Sequence, residues 1–410
     1  MRENLQQISQ ELIELNNRVF RRYFIQTIEL KHRLSILVGQ RGVGKTTTLV
    51  QYLLDYANGD RFSDKVLYVP VDHFIVQGAT LFEIAENFSQ MGCEFIAFDE
   101  IHKYENWSGE LKSIYDSFPQ LKIIASGSSA LEIHKGTHDL SRRGILYHLH
   151  GMSFREFLAL KDNLVFQSYS LEILLKDHQK ISHDIISTLD KLEKKILKEF
   201  SEYLICGFYP YFFDLNDLAL FHRTLEQNVH TTIESDLMAI YPALTGVSVR
   251  KLKQLLNFIA GAVPFTPKWS EIQSILEIGD VRTLKTYFKY LEDASLIKTI
   301  SRESNKLNKV SLPEKVFIDN PNLMQAISAE KVNVGTVREI FFMNMLIANH
   351  NIALDKQGDF IVDHHTVFEV GGKNKNFNQI KNLPNAYLAL DQIETGIKNK
   401  IPLWLFGFLY

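Results

Sequence analysis

Between residues 34 and 150, short and almost continuously apolar runs alternate with stretches of helical periodicity. The runs are Leu34–Gly39, Lys65–Asp72, Cys93–Glu100, Leu121–Gly127 and Gly144–His150. A strand that is apolar at successive positions is buried on both faces, so the alternation predicts an α/β fold with a parallel sheet covered by helices. From 161 to 240 the pattern changes to longer amphipathic helices, with Leu189, Leu192, Ile196 and Phe200 at near-helical spacing. Further on, a short helix (Ser270–Leu276), a turn (Glu277-Ile278-Gly279-Asp280), a second helix (Val281–Ala294) and a strand (Leu296–Ile300) predict a winged helix over about 245–302. Residues 310 to 410 return to mixed α/β: a strand at Lys315–Asp319, a helix near Thr336–His350, strands at Asp359–Val362 and Thr366–Val370, and a final apolar strand. The expected division is 1–160, 161–305 and 306–410.

Charge narrows the classes of function. Lys plus Arg number 45 against 48 Asp plus Glu, a net charge of −3, which excludes bulk electrostatic attraction to nucleic acid or to an anionic membrane. Cys93 and Cys206 stand far apart and flank no other ligand-type cluster, so neither a disulfide scaffold nor a zinc site is supported. The N-terminus lacks the apolar core of a signal peptide, and the longest apolar stretch, Ile401–Tyr410, is too short to span a bilayer. A cytoplasmic chain without a membrane partner is expected.

The first apolar run ends in Gly39-Gln40-Arg41-Gly42-Val43-Gly44-Lys45-Thr46, followed by Thr47, which fits G-x-x-x-x-G-K-[ST] at every fixed position. A triphosphate needs inward-pointing backbone N–H groups, and glycines let the chain curl tightly around it. Lys45 would reach the β- and γ-phosphates, and the Thr46 hydroxyl would ligate Mg²⁺. The run Cys93–Glu100 ends in adjacent acids: Asp99 would hold Mg²⁺ and Glu100 would polarise water. One complete strand lies between these motifs in sequence. This predicts that their two strands are not sheet neighbours, and that Leu121–Gly127 inserts between them. Its end presents Ser126-Gly127-Ser128-Ser129, where Ser126 or Ser128 could sense the γ-phosphate. Hydrolysis also needs positive charge at the transferring group, and Arg142-Arg143 before the fifth strand is the candidate source, in cis or from a neighbouring subunit.

Together these residues resemble the AAA-like ATPase family of bacteria and archaea, which pairs a P-loop ATPase domain with a C-terminal domain of unknown function. The resemblance is carried by Gly39–Thr46, by Phe98-Asp99-Glu100-Ile101-His102-Lys103 with Trp107, and by the Ser126 turn. Further pieces are Met152-Ser153-Phe154-Arg155-Glu156-Phe157, Tyr203-Leu204-Ile205-Cys206-Gly207, and Ile401–Tyr410. It implies ATP rather than GTP, consistent with the lack of a guanine-reading Asn/Thr-Lys-x-Asp motif, and it places the arginine before Ser153-Phe154 at Arg143. It also implies a restriction-endonuclease-type C-terminal fold, in which Glu339, Asp359, Glu369 and Lys373 have the right types in the right order. The expected Glu-x-Lys reads Glu369-Val370-Gly371, and Lys373 would face Glu369 only if the strand continued through two glycines.

Arg282, Lys285 and Lys289 share one face of the second winged-helix helix, a local basic feature that fits DNA contact only weakly and a protein-packing module as well. The expected activity is Mg·ATP hydrolysis coupled to a conformational or binding output. The alternatives are a slow nucleotide-dependent switch and an ATP-gated DNA-binding protein or nuclease; a protein partner or homo-oligomer fits any of these.

Overall fold

A computed structural model describes residues 2–127, 140, 142–241, 243–262, 269–302, 313–328 and 332–410. The chain forms two compact units, 1–151 with 239–242, and 152–238 with 243–410. The helical stretch and the mixed α/β part that the sequence pattern separates at 305 fall in the same unit.

The first unit opens with α1 (Arg2–Asn16). The core is a parallel sheet of β1 (Leu34–Val38), β2 (Val66–Pro70), β3 (Phe95–Asp99), β4 (Lys122–Gly127) and β5 (Gly144–His148), in the order β2-β3-β4-β1-β5. The strand inserted between β1 and β3 is β4, as the spacing predicts. Three helices cross over between strands: α2 (Lys45–Tyr56), α3 (Leu81–Gln90) and α4 (Trp107–Ser117). Every residue of β1, β2 and β3 is buried, because helices cover both faces. Helix α3 starts at a capping box, Thr80 and Glu83 each satisfying a backbone N–H of the other, and buries Leu81, Ile84, Ala85 and Phe88 on one face. Helix α1 lies along β2, where Ser9 Oγ accepts the Tyr68 N–H at 2.8 Å in a buried contact. That bond supplies an acceptor at a strand on the edge of the sheet.

In the second unit come α5 (Phe154–Asp162), α6 (Leu171–Asp190), α7 (Ile196–Cys206), α8 (Leu218–Thr231) and α9 (Gly246–Gly261). The pair α10 (Trp269–Ile275) and α11 (Val281–Asp293) precedes β6 (Ile297–Ile300). Helix α11 buries Leu284, Tyr287, Phe288 and Leu291, while Arg282 and Lys289 are exposed. Strand β6 pairs antiparallel with β7 (Lys315–Ile318), so the Lys315 strand forms a two-stranded sheet with β6 rather than joining the larger sheet. After α12 (Pro321–Ile327) and α13 (Val334–Leu346) comes that sheet: β8 (Ile352–Leu354), β9 (Phe360–Val362), β10 (Thr366–Gly371), β11 (Ala386–Leu390) and β12 (Lys400–Pro402), in the order β12-β11-β10-β9-β8. The β8-β9-β10 pairings are antiparallel and β10-β11-β12 are parallel.

Three sequence motifs meet in one aromatic core of this unit. Phe154 packs on Phe157, Phe200, Tyr203 and Phe408, and the Tyr203 hydroxyl donates to the Met152 carbonyl at 2.6 Å. Gly207 is required by this packing, since a Cβ there would lie 2.8 Å from Tyr203 Cα and 2.9 Å from the Phe157 ring.

Candidate active site

Sheet register assembles the site before any ligand is considered. Phe98 stands opposite Ala125, and Leu37 opposite Ser126, so Asp99 and Ser126 come level one residue further along. Tyr68 stands opposite Ala97 and Pro70 opposite Asp99. Side chains two apart share a face, which puts Tyr68 and Asp99 on the same side of the sheet.

The phosphate-loop residues Gly39 to Thr46 leave the end of β1 and enter α2. Gly42 and Gly44 have φ of 87° and 97°, left-handed values that glycine adopts without a Cβ clash. Gly39 is needed for a different reason: a Cβ there would stand 2.5 Å from the Leu149 carbonyl oxygen. Lys45 is buried and its Nζ donates to the Gly39 and Gln40 carbonyls at 3.0 and 2.9 Å. Arg41 is exposed, and Thr47 lies in the first turn of α2.

Asp99 is the hub of the site. Its Oδ2 accepts from the Thr46 hydroxyl at 2.6 Å and from the Tyr68 hydroxyl at 2.6 Å. Its Oδ1 accepts from the Ser126 hydroxyl and, at 3.2 Å, from the Glu100 N–H. Ser126 Oγ also lies 3.3 Å from that N–H. Burial, reinforced by the Asp99 charge, pushes the Tyr68 hydroxyl well above its ordinary range, so it stays protonated and donates. Glu100 adopts φ 57°. Its Oε2 is buried with no hydrogen-bond partner among the described residues, 3.6 Å from His102 Nε2. Tyr68 joins the site without a motif to announce it, its signal in the sequence being a polar tip in an otherwise apolar strand, whereas His102 lies inside the Phe98–Lys103 segment.

Ser128, the other serine weighed for sensing, lies outside the described residues, as does Ser129. Arg143 is not at this end of the sheet. Gly144 pairs with Leu34, whereas the loop follows Val38 beside His148, four strand steps or roughly 13 Å away. Arg143 instead forms a two-pronged ion pair with Asp116 at 2.8 and 2.9 Å. The expectation of a finger acting in cis is therefore corrected: parallel pairing fixes the start of β5 beside the start of β1. Arg142 is exposed at the same end.

In the second unit Asp359 comes within electrostatic range of both Glu339 and Glu369, but Lys373 does not join them. Strand β10 stops at Gly371, and a turn in which Lys375 N–H bonds the Gly372 carbonyl at 2.9 Å leaves Lys373 exposed and returns Lys375 to ion-pair with Glu369. Gly371 permits that return, since a Cβ there would meet Lys375 Cβ at 2.8 Å. Lys315 ion-pairs with Glu339, and Asp359 Oδ2 accepts the Val370 N–H at 2.8 Å. Two lysines thus occupy the neighbourhood where carboxylates of a nuclease would meet metal. Among the described residues no three His, Cys, Asp or Glu side chains are arranged to hold a metal ion. Cys93 and Cys206 are buried and free, and burial pushes both thiols up to about 12. No described helix is long and apolar enough to cross a membrane.

Comparison with known proteins agrees with this geometry. Residues 31–158 match the AAA domain family, and residues 197–330 match a domain of unknown function, DUF8612. Over 300 residues the chain is 27% identical to the uncharacterized protein MJ1637 of Methanocaldococcus jannaschii, a match covering 70% of this chain and 60% of that protein. The chain thus spans about 60% of that relative's length. Among solved structures, the Walker-type ATPase paby2304 of Pyrococcus abyssi is similar at 14% identity and a TM-score of 0.43, over 77% of this chain and 99% of that one. AMPPCP-bound DnaA from Aquifex aeolicus is similar at 14% identity and a TM-score of 0.27, over 71% and 88%. Residues 31–158 thus match the AAA domain family and carry the loop and the parallel strand order of a P-loop fold.

Proposed function

We propose that the chain binds Mg·ATP at the Gly39–Thr47 loop and hydrolyses it through Glu100, the nucleotide state being coupled to the second unit as a conformational or binding output. The observation that carries this reading is the Glu100 Oε2 atom, buried and without a hydrogen-bond donor among the described residues, beside an Asp99 that already bonds the loop through Thr46. A carboxylate oxygen so placed is an acceptor for a proton from attacking water. ATP rather than GTP is favoured by the lack of a guanine-reading motif.

A hydroxyl and a carboxylate joined across the loop are hard oxygen donors suited to Mg²⁺, so Thr46 and Asp99 fit the ion and would hold it. Bound there, Mg²⁺ would neutralise developing charge on the β- and γ-phosphate oxygens. The chain's own residues do the rest. Backbone N–H groups of Gly42 to Thr46 receive the phosphates, and Lys45 exchanges the loop carbonyls for phosphate oxygens. Ser126, which bonds both Asp99 and the Glu100 N–H, holds the two acids in register.

The test is Glu100→Gln. The variant retains nucleotide affinity and loses steady turnover by about a hundredfold or more; turnover at the wild-type rate would overturn the assignment of Glu100. Binding with negligible wild-type turnover would instead favour the slow switch.

A further inference from the structure

The geometry points to Tyr68 as a positioning residue for the metal-binding carboxylate, an assignment that rests on the ATPase reading. Tyr68 lies on β2, outside both nucleotide motifs, and its hydroxyl donates to the Asp99 oxygen that also accepts from Thr46. The ring is buried, with 3% of its surface exposed, and its backbone N–H is tied to Ser9 of α1, so the hydroxyl is delivered from a fixed frame.

Asp99 accepts four donors: Thr46 and Tyr68 at Oδ2, Ser126 and the Glu100 N–H at Oδ1. These donors differ in what metal entry does to them. Thr46 would itself be a ligand through an oxygen lone pair, so its hydroxyl would have to serve both the ion and Oδ2. Ser126 and Glu100 hold only Oδ1. Among the described residues Tyr68 is the second donor to Oδ2 and would make no contact with the ion itself, and a carboxylate oxygen can accept such a bond and still face a cation. Tyr68, which would not touch the ion, therefore holds the Asp99 carboxylate independently of Thr46. Hydrogen bonds to a charged group are among the stronger ones in a folded chain, so losing this one leaves Oδ2 less firmly held while Oδ1 keeps its two donors.

The experiment compares the full-length wild type with Tyr68→Phe, which keeps the ring and removes only the hydroxyl. Affinity for a fluorescent ATP analogue is measured in EDTA and across a Mg²⁺ titration. In EDTA the two proteins agree within about twofold, because the phosphates rest on the loop and Lys45. The Mg²⁺ concentration at half-maximal enhancement rises about tenfold in the variant, corresponding to the loss of one charge-assisted bond. A role in packing alone would leave the Mg²⁺ midpoint unmoved. An unchanged midpoint in a protein that binds nucleotide normally overturns the Tyr68 assignment and leaves the ATPase reading standing; a wild type that binds no nucleotide overturns both. A nucleotide-bound wild-type crystal structure supplies a second reading: Tyr68 Oη within hydrogen-bond distance of Asp99 Oδ2 supports the assignment, and a hydroxyl turned away overturns it.

Discussion

Arg22 donates from Nη1 to the Val43 carbonyl at 2.5 Å and from Nη2 to the His150 carbonyl at 2.8 Å. This buried guanidinium thus ties the phosphate loop to the segment leaving β5, and it lies 21 residues before Val43 with no motif of its own. Its planar fork spans two carbonyls that a lysine cannot reach together. Arg22→Lys is expected to lower unfolding stability by about 1–3 kcal/mol, checked by denaturant melts. It should also weaken nucleotide affinity several-fold by loosening the loop; a variant as stable as wild type would show that the fork is dispensable.

Arg143 makes a contrasting case. Because β5 begins beside the start of β1, Arg143→Ala is expected to leave nucleotide affinity and turnover of isolated protomers unchanged. Its measurable effect is on Asp116, whose carboxyl is held below its ordinary range chiefly by the Arg143 hydrogen bond. Residue-specific NMR titration should find the Asp116 pKa raised in the variant. A hundredfold loss of turnover that depends on protein concentration would instead reveal the arginine acting across a subunit boundary.

Gly207→Ala places a methyl group against the Tyr203 backbone and the Phe157 ring. Overpacking of this kind costs about 1–3 kcal/mol, and the second unit should melt earlier while nucleotide affinity at Lys45 is retained. Calorimetry with and without nucleotide separates the two effects.

The lysine-filled acidic cluster makes two connected predictions. Burial holds the Glu369 carboxyl above its ordinary value, and Asp359 adds to this while Lys375 opposes both. A raised carboxyl contributes its stability below the unfolded value of about 4.3 and loses it as pH rises through the folded one. Lys375→Met removes the opposing charge and raises the folded value further. Its stability should then fall more steeply than that of wild type between about pH 4 and 7, as read by denaturant melts at each pH. The same lysines predict no Mg²⁺-dependent cleavage of plasmid or linear DNA; cleavage that Asp359→Ala abolishes would refute this.

Much of the first unit is legible in sequence because its signals are local. A buried parallel strand is written as a continuous apolar run, and the glycines of the loop are dictated by left-handed turns at Gly42 and Gly44. The position of β4 follows from the intervening strand Val66–Pro70. The second unit was less open to reading. Whether a strand continues past Gly371 depends on a turn closed by Lys375, not on alternation, and β7 could be assigned to its partner β6 only by seeing the pair.

By itself, then, the sequence determined the phosphate loop, the Asp99-Glu100 strand end and the α/β order, since each is a short-range pattern imposed by backbone chemistry. Only the tertiary structure decided which side chains converge on them. Register sets Tyr68, Asp99 and Ser126 together and sends Arg143 to the far end of the sheet, and register is fixed by pairing between segments that share no sequence proximity.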